Sequence, residues 1–287
     1  MDEKELIKLT IKGIFSQPKL LDVLVLKGGN ALDLIYGGSG RASKDVDLSM
    51  DMSKPELPKD ELEELISTGL KCVFADSGLT VFDIEFKEVP KNMTPDLSEF
   101  WGGYKILFKA ISSDKYTEDK EMYRRVRASG LQLGGKGKIH VDVSRHEYCD
   151  PKQLAQLDGV DVSVYTTDMI VAEKLRAICQ QTDLYTAQTK GHKTSRAKDF
   201  FDIYILYERA AFSGITQAFA AEIKLAFIAK NVGQDCLLLA SNDKAHHESS
   251  FVELVDSLNA DVEVLAFEEY FEFVMKLLQV VHSLWDE

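Results

Sequence analysis

Apolar residues recur at helical spacing over residues 3–16, where Leu6, Ile7, Leu9, Ile11 and Ile14 line one face. The apolar run 20–26 follows and ends in Val23-Leu24-Val25-Leu26, a strand pattern, after which Lys27-Gly28-Gly29-Asn30 opens a helical stretch over 31–36. Residues 44–50 alternate, so that Asp45, Asp47 and Ser49 face one way while Val46, Leu48 and Met50 face the other. The spacing predicts a helix over 59–74 and strands over 79–89, 104–111 and 138–144. From Asp168 onward the periodicity is helical, over 169–181, 196–211, 215–230, 251–258 and 267–284, with 241–250 and its His246-His247 pair reading as a polar loop. Elements in this order predict an α+β (α/β) fold, a mixed sheet with flanking helices followed by a helical second lobe. The expected domains are 1–155 and 156–287, divided within the stretch 150–166, where periodicity fades.

Composition narrows the class. The chain has 287 residues, 45% of them hydrophobic and 28% charged, which suits a globular protein with a sizeable core and excludes a disordered regulator. No apolar run approaches the roughly 18 residues that cross a bilayer, and residues 1–8 mix acids and bases where a signal peptide would be basic and then apolar. A cytoplasmic protein without a membrane partner is expected. Cys72, Cys149, Cys179 and Cys236 lie far apart and form no CxxC pair, so neither a zinc ribbon nor a disulfide framework is supported. With 34 Lys+Arg against 47 Asp+Glu the net charge is −13, which opposes indiscriminate coating of DNA. A local basic stretch, Lys105, Lys109, Lys115, Lys120, Arg124, Arg125 and Arg127, is either an acceptor-steering surface or ordinary solvated surface.

Asp45 and Asp47 project from one strand face a few ångströms apart, and like charges that close repel unless a cation lies between them. Hard oxygen donors favour Mg²⁺. A third carboxylate is available from two alternating segments: Asp142, which shares a strand face with His140 and Ser144, or Asp83, which shares one with Glu85. Periodicity alone does not choose between them, and Asp142 is preferred. Lys27-Gly28-Gly29-Asn30 supplies a turn that lets phosphate oxygens approach free amides at a helix start; Arg41 and Ser43 add donors. On the helix near residue 200, Phe200, Ile203, Leu206 and Tyr207 form the core stripe, Arg196 and Asp199 fall on it, and Lys198 and Asp202 fall toward the flank. Lys174 lies beside the Val171, Leu175 and Ile178 stripe, while Glu173 and Arg176 point away. An inward charge needs a partner or a task. Lys174 and Asp199 either form a buried bridge that fastens two helices, or serve a nucleotide phosphate and the acceptor.

Taken in order, Lys27-Gly28-Gly29-Asn30-Ala31-Leu32, Arg41, Ser43, Asp45-Val46-Asp47-Leu48-Ser49, Ala172-Glu173-Lys174-Leu175 and Arg196-Ala197-Lys198-Asp199-Phe200-Phe201-Asp202 resemble the AbiEii/MenA-type nucleotidyltransferase toxins. The likeness covers residues 20–210. It implies a DNA polymerase β-like nucleotidyltransferase fold with a helical second lobe, and the toxin of a toxin–antitoxin or abortive-infection system whose partner is a winged-helix repressor antitoxin. It further implies that Gly28, Gly29 and Ser43 frame a nucleoside triphosphate (NTP), that Asp45 and Asp47 hold one or two Mg²⁺ ions with Asp142 as the further carboxylate, and that Lys174 and Asp199 are essential. Lys27, Asn30, Arg41 and Arg196 join the nucleotide-binding set, with Asn30 standing where the family has Thr or Ser. By analogy the acceptor is RNA, the 3′ end of tRNA. The alternatives are a protein or small-molecule acceptor, or a nucleotide-binding module without turnover.

Overall fold

The computed structural model describes residues 2–38, 40–41, 43–92, 94–119, 130–131 and 137–285. Contacts divide the chain into two compact units, Met1–Tyr36 with Ser43–Val164, and Gly37–Ala42 with Tyr165–Glu287.

The first unit holds α1 (Glu3–Phe15), α2 (Pro18–Val23), β1 (Leu24–Lys27), α3 (Gly28–Ile35), β2 (Val46–Asp51), α4 (Lys59–Asp76), β3 (Leu79–Val89), α5 (Pro95–Ser98), β4 (Gly103–Ser112), β5 (Ile139–Glu147), β6 (Gln153–Leu157) and β7 (Val160–Val164). Its seven strands form one mixed sheet in the order β3-β4-β5-β2-β1-β7-β6. The pairs β2–β5 and β1–β7 are parallel and the others antiparallel. Where the sequence shows only faded periodicity, at 150–166, the chain makes the β6–β7 hairpin, and the expected division at 155/156 falls inside β6. Strands of only five residues carry too few alternations to be legible in isolation.

Alternation sorts the sheet into two faces. Leu24, Leu26, Val46, Leu48, Ile139, Val141, Ile106 and Phe108 are fully buried on one side. Lys27, Asp47, Asp142 and Lys105 occupy the other. Helices α1 and α4 meet where two glycines remove the side chains between them: a Cβ on Gly69 would lie 2.0 Å from the Gly13 carbonyl oxygen.

The second unit is helical: α6 (Thr167–Cys179), α7 (Asp183–Thr189), α8 (Ala197–Glu208), α9 (Gln217–Ile228), α10 (Asp235–Leu239), α11 (Lys244–Glu248), α12 (Phe251–Asp256) and α13 (Phe267–Trp285). Thr166 and Thr216 cap α6 and α9 by accepting the Met169 and Phe219 amides. Helix α8 is packed against α6, α12 and α13, and its Phe200 lies 5.4 and 5.6 Å from the rings of Phe267 and Phe271. Among the described residues no helix is long and apolar enough to cross a membrane.

Gly69→Ala should lower the unfolding free energy by about 1–3 kcal/mol, the overpacking cost exceeding the helix-propensity gain; urea titration followed by circular dichroism reads the change.

Candidate active site

In the first unit α3 begins at Gly28, directly off β1. Gly28 has φ +69°, and a Cβ there would lie 2.6 Å from Asp47 Oδ2, so backbone conformation and proximity both demand glycine. Across the ladders Lys27 stands opposite Asp47, Asp47 opposite Asp142, Asp142 opposite Lys105, and Lys105 opposite Lys87. Directly opposite residues share a sheet face. One row therefore runs Lys27, Asp47, Asp142, Lys105, Lys87, with two neighbouring carboxylates at its centre and lysines on both sides.

Asp45 sits just before β2, its Oδ1 3.9 Å from His140 Nδ1. Asn30 is buried and donates from Nδ2 to the Asp45 main-chain carbonyl at 2.7 Å, which ties the first turn of α3 to the segment before β2. The Lys27 ammonium is buried, 3.2 Å from Glu147 and 3.5 Å from Ser144 Oγ, a pairing that sequence spacing did not reveal. Lys105 Nζ lies 3.4 Å from Asp142 Oδ1. Gly29 is in the first turn of α3 and Ser43 is half-buried in the segment before β2. Asp83, the rival third carboxylate, occupies a β3 irregularity with φ 51°, its carboxylate 4.0 Å from Lys109; β4 and β5 separate β3 from β2. Strand order thus brings Asp142, and not Asp83, beside Asp47. Of the basic stretch, Lys120, Arg124, Arg125 and Arg127 lie outside the described residues.

Among the described residues no group of three or more His, Cys, Asp or Glu is arranged to hold a metal ion. The donor chemistry fits a hard divalent cation all the same, because the neighbouring Asp47 and Asp142 present carboxylate oxygens only.

In the second unit four charged side chains form a buried network. Arg41 forks onto Asp202, Nε to Oδ1 at 2.9 Å and an Nη to Oδ2 at 2.5 Å, and Lys174 Nζ lies 2.7 Å from Asp199 Oδ1 and 2.8 Å from Asp202 Oδ2. Arg196 reaches Asp199 at 3.8 Å. The Asp202 side chain is 0% exposed and that of Lys174 7%. Burial alone would raise the Asp202 pKa, yet Arg41 and Lys174 outweigh it and hold the carboxyl well below the usual range. Burial alone would lower that of Lys174; Asp199 and Asp202 outweigh it and the ammonium is held above its ordinary value.

Three placements differ from the helical projection. Asp202 and Arg176 are buried rather than flanking, and Tyr207 is exposed. The cause for α8 is its three helical neighbours, which bury more than one stripe. The Arg41 guanidinium, expected as a phosphate donor, is committed to Asp202.

The family described as “Nucleotidyl transferase AbiEii toxin, Type IV TA system” matches residues 11–282. The chain belongs to this family. AbiEii proteins are nucleotidyltransferase toxins of type IV toxin–antitoxin systems, which implies an antitoxin partner. Among solved structures, the chain is similar to JHP933 from Helicobacter pylori (19% identity, 98% of this chain and 90% of that chain covered, TM-score 0.48). It is also similar to an antigenic nucleotidyltransferase-like protein from Paracoccidioides brasiliensis (14% identity, 91% and 95% covered, TM-score 0.40). No curated protein matches the chain.

The AbiEii helical unit contains one more residue that sequence spacing missed. His247, expected in a polar loop, is on α11 and fully buried. Its Nδ1 accepts the Arg196 backbone N–H at 3.2 Å, its carbonyl accepts from Ser195 Oγ at 2.6 Å, and its ring lies 5.1 Å from that of Phe200. His247 therefore fixes the start of α8, one turn before Asp199. Burial, aided by His246, pulls its pKa down to about 4, so the neutral acceptor form persists in the folded protein.

Asp202→Ala leaves Arg41 and Lys174 buried without their shared counter-charge and should cost about 3–5 kcal/mol, read as a lowered denaturant midpoint. Because the folded His247 pKa lies below its unfolded value, the unfolded chain binds more protons between pH 6.5 and about 4. His247 thus makes stability fall as pH drops through that window. Thermal melts at pH 7 and pH 5 should show a larger loss for the wild type than for His247→Asn.

Proposed function

We propose that this AbiEii toxin transfers a nucleoside monophosphate from an NTP to an acceptor hydroxyl, the 3′ end of tRNA, with release of pyrophosphate. The observation behind this is the register that sets Asp47 beside Asp142, next to a helix start kept open by Gly28. Asp45, Asp47 and Asp142 would hold Mg²⁺, one ion or two, which when bound neutralises charge developing around the α-phosphate. Gly28 and Gly29 admit triphosphate oxygens to the first-turn amides of α3, and Ser43 offers a hydroxyl donor. Asp142 takes the proton of the acceptor hydroxyl. The acceptor oxygen then bonds to the α-phosphorus as the bond to pyrophosphate breaks.

Lys27, through Glu147, anchors the end of β1 from which the glycine turn departs. Lys174 and Asp199 are the essential residues of the helical unit, with Arg196 beside Asp199 as the nucleotide-binding donor; Lys174 acts by pairing with and orienting Asp199 and Asp202, and Arg41 completes that charge balance. A toxin that caps tRNA ends would stop translation, and the lysines along β4 suit a polyanionic acceptor. The antitoxin in this reading is a winged-helix repressor encoded alongside.

Incubation with α-labelled NTPs, Mg²⁺, total RNA, total protein and an aminoglycoside should place label on tRNA. Asp47→Asn or Asp142→Asn should reduce transfer by at least about 100-fold, an effect on the scale of removing a charge-stabilising group from an active site. Label on protein or drug would replace the acceptor, and NTP binding without label on any acceptor would overturn transfer.

A further inference from the structure

Each lysine on the polar sheet face has an acidic neighbour, and the neighbours differ in kind. Lys109 lies by Asp83 and Lys87 and Lys138 by Glu85, acids on the far strand β3. Lys27 is buried against Glu147. Lys105 alone in this group has Asp142, a member of the central carboxylate pair, as its partner, and both side chains stay more than a third exposed, at 37% and 38%. Its position follows from the backbone, since Lys105 and Asp142 are register partners on β4 and β5.

A divalent cation on Asp47 and Asp142 would bring two positive charges to within a few ångströms of that ammonium. The attraction that holds Lys105 on Asp142 would then become repulsion. Four flexible methylenes let a half-exposed lysine swing away, and a phosphate oxygen is the chemistry to receive it.

We propose that Lys105 is a built-in counter-cation of Asp142, displaced when a divalent cation binds the carboxylate pair and handed over to a phosphate oxygen of the reacting complex. Lys105 thereby sets the affinity of the site for the cation and couples cation binding to phosphate binding. This rests on the carboxylate pair binding a divalent cation, as proposed above.

Titration of the full chain with Mn²⁺, followed by loss of the free-ion electron paramagnetic resonance signal, separates the possibilities. Lys105→Met should bind Mn²⁺ roughly three- to tenfold more tightly than wild type at low salt, with the gap closing as added salt shortens the screening length. Lys105→Arg, which retains the charge, should stay within about twofold of wild type. At saturating Mg²⁺, Lys105→Met should raise the KM for NTP if the receiving phosphate is the nucleotide's, or the KM for RNA if it is the acceptor's, with kcat less affected. Equal Mn²⁺ affinity in wild type and Lys105→Met, with binding abolished by Asp47→Asn, overturns the counter-cation role and leaves the carboxylate site standing. Unchanged KM for both substrates overturns the handover. Absence of Mn²⁺ binding in the wild type overturns both this inference and the metal-dependent reading beneath it.

Discussion

Two carboxylates that stand directly opposite each other on a parallel strand pair repel, and the polar face of the first unit's sheet is arranged around that repulsion. Asp47 and Asp142 cannot relax apart, because the residues flanking them, Val46 and Leu48 on β2 and Val141 and Val143 on β5, are buried on the opposite face. A one-residue slip of either strand would exchange the faces, driving a carboxylate into the core and a valine or leucine out of it. Burial of the apolar face therefore sets the register, and the register sets the charge density. Lysines on both flanks of the row, and the glycine that keeps α3 clear of Asp47, are the surroundings such a density requires.

The second unit solves the converse problem. Its charges lie inside, where an isolated ion would be costly, and the solution is near-neutrality by pairing: Arg41 and Lys174 against Asp202 and Asp199, with Arg196 at the margin. Arg41 comes from a short segment between α3 and β2 that belongs by its contacts to the helical unit. Arg41 therefore ties that segment to α8 by a two-point guanidinium–carboxylate contact. His247 holds the start of the same helix by a neutral acceptor, which adds no charge to the network.

Membership of the AbiEii family states what kind of reaction to look for, and the proposed site draws on two charge arrangements. The polar sheet face carries half-buried carboxylates beside the helix start at Gly28. The helical network holds its charges by burial and pairing. The carboxylates of the sheet face stay half-buried beside lysines, whereas Asp202 is enclosed between Arg41 and Lys174, so the same residue type sits in two different settings in the two units.

Much of this was legible along the chain. The α1 periodicity, the strand–glycine–helix step at Lys27-Gly28-Gly29, the alternation of Val46, Asp47 and Leu48, and the helical run after Asp168 are all local patterns with periods of two or 3.6 residues. What alternation leaves open is who the neighbour is. Asp83 and Asp142 carry the same pattern, and only the order β3-β4-β5-β2 distinguishes them. The burial of Asp202 depends on three helices closing over α8, the role of Asn30 on where the Asp45 carbonyl arrives, and the role of His247 on a helix some fifty residues downstream meeting the Arg196 amide. The sequence by itself determined which side chains share a face, because that follows from the backbone repeat of each element. Only the tertiary structure decided which faces meet, because strand order and helix packing are set by the burial of apolar surface across the whole unit.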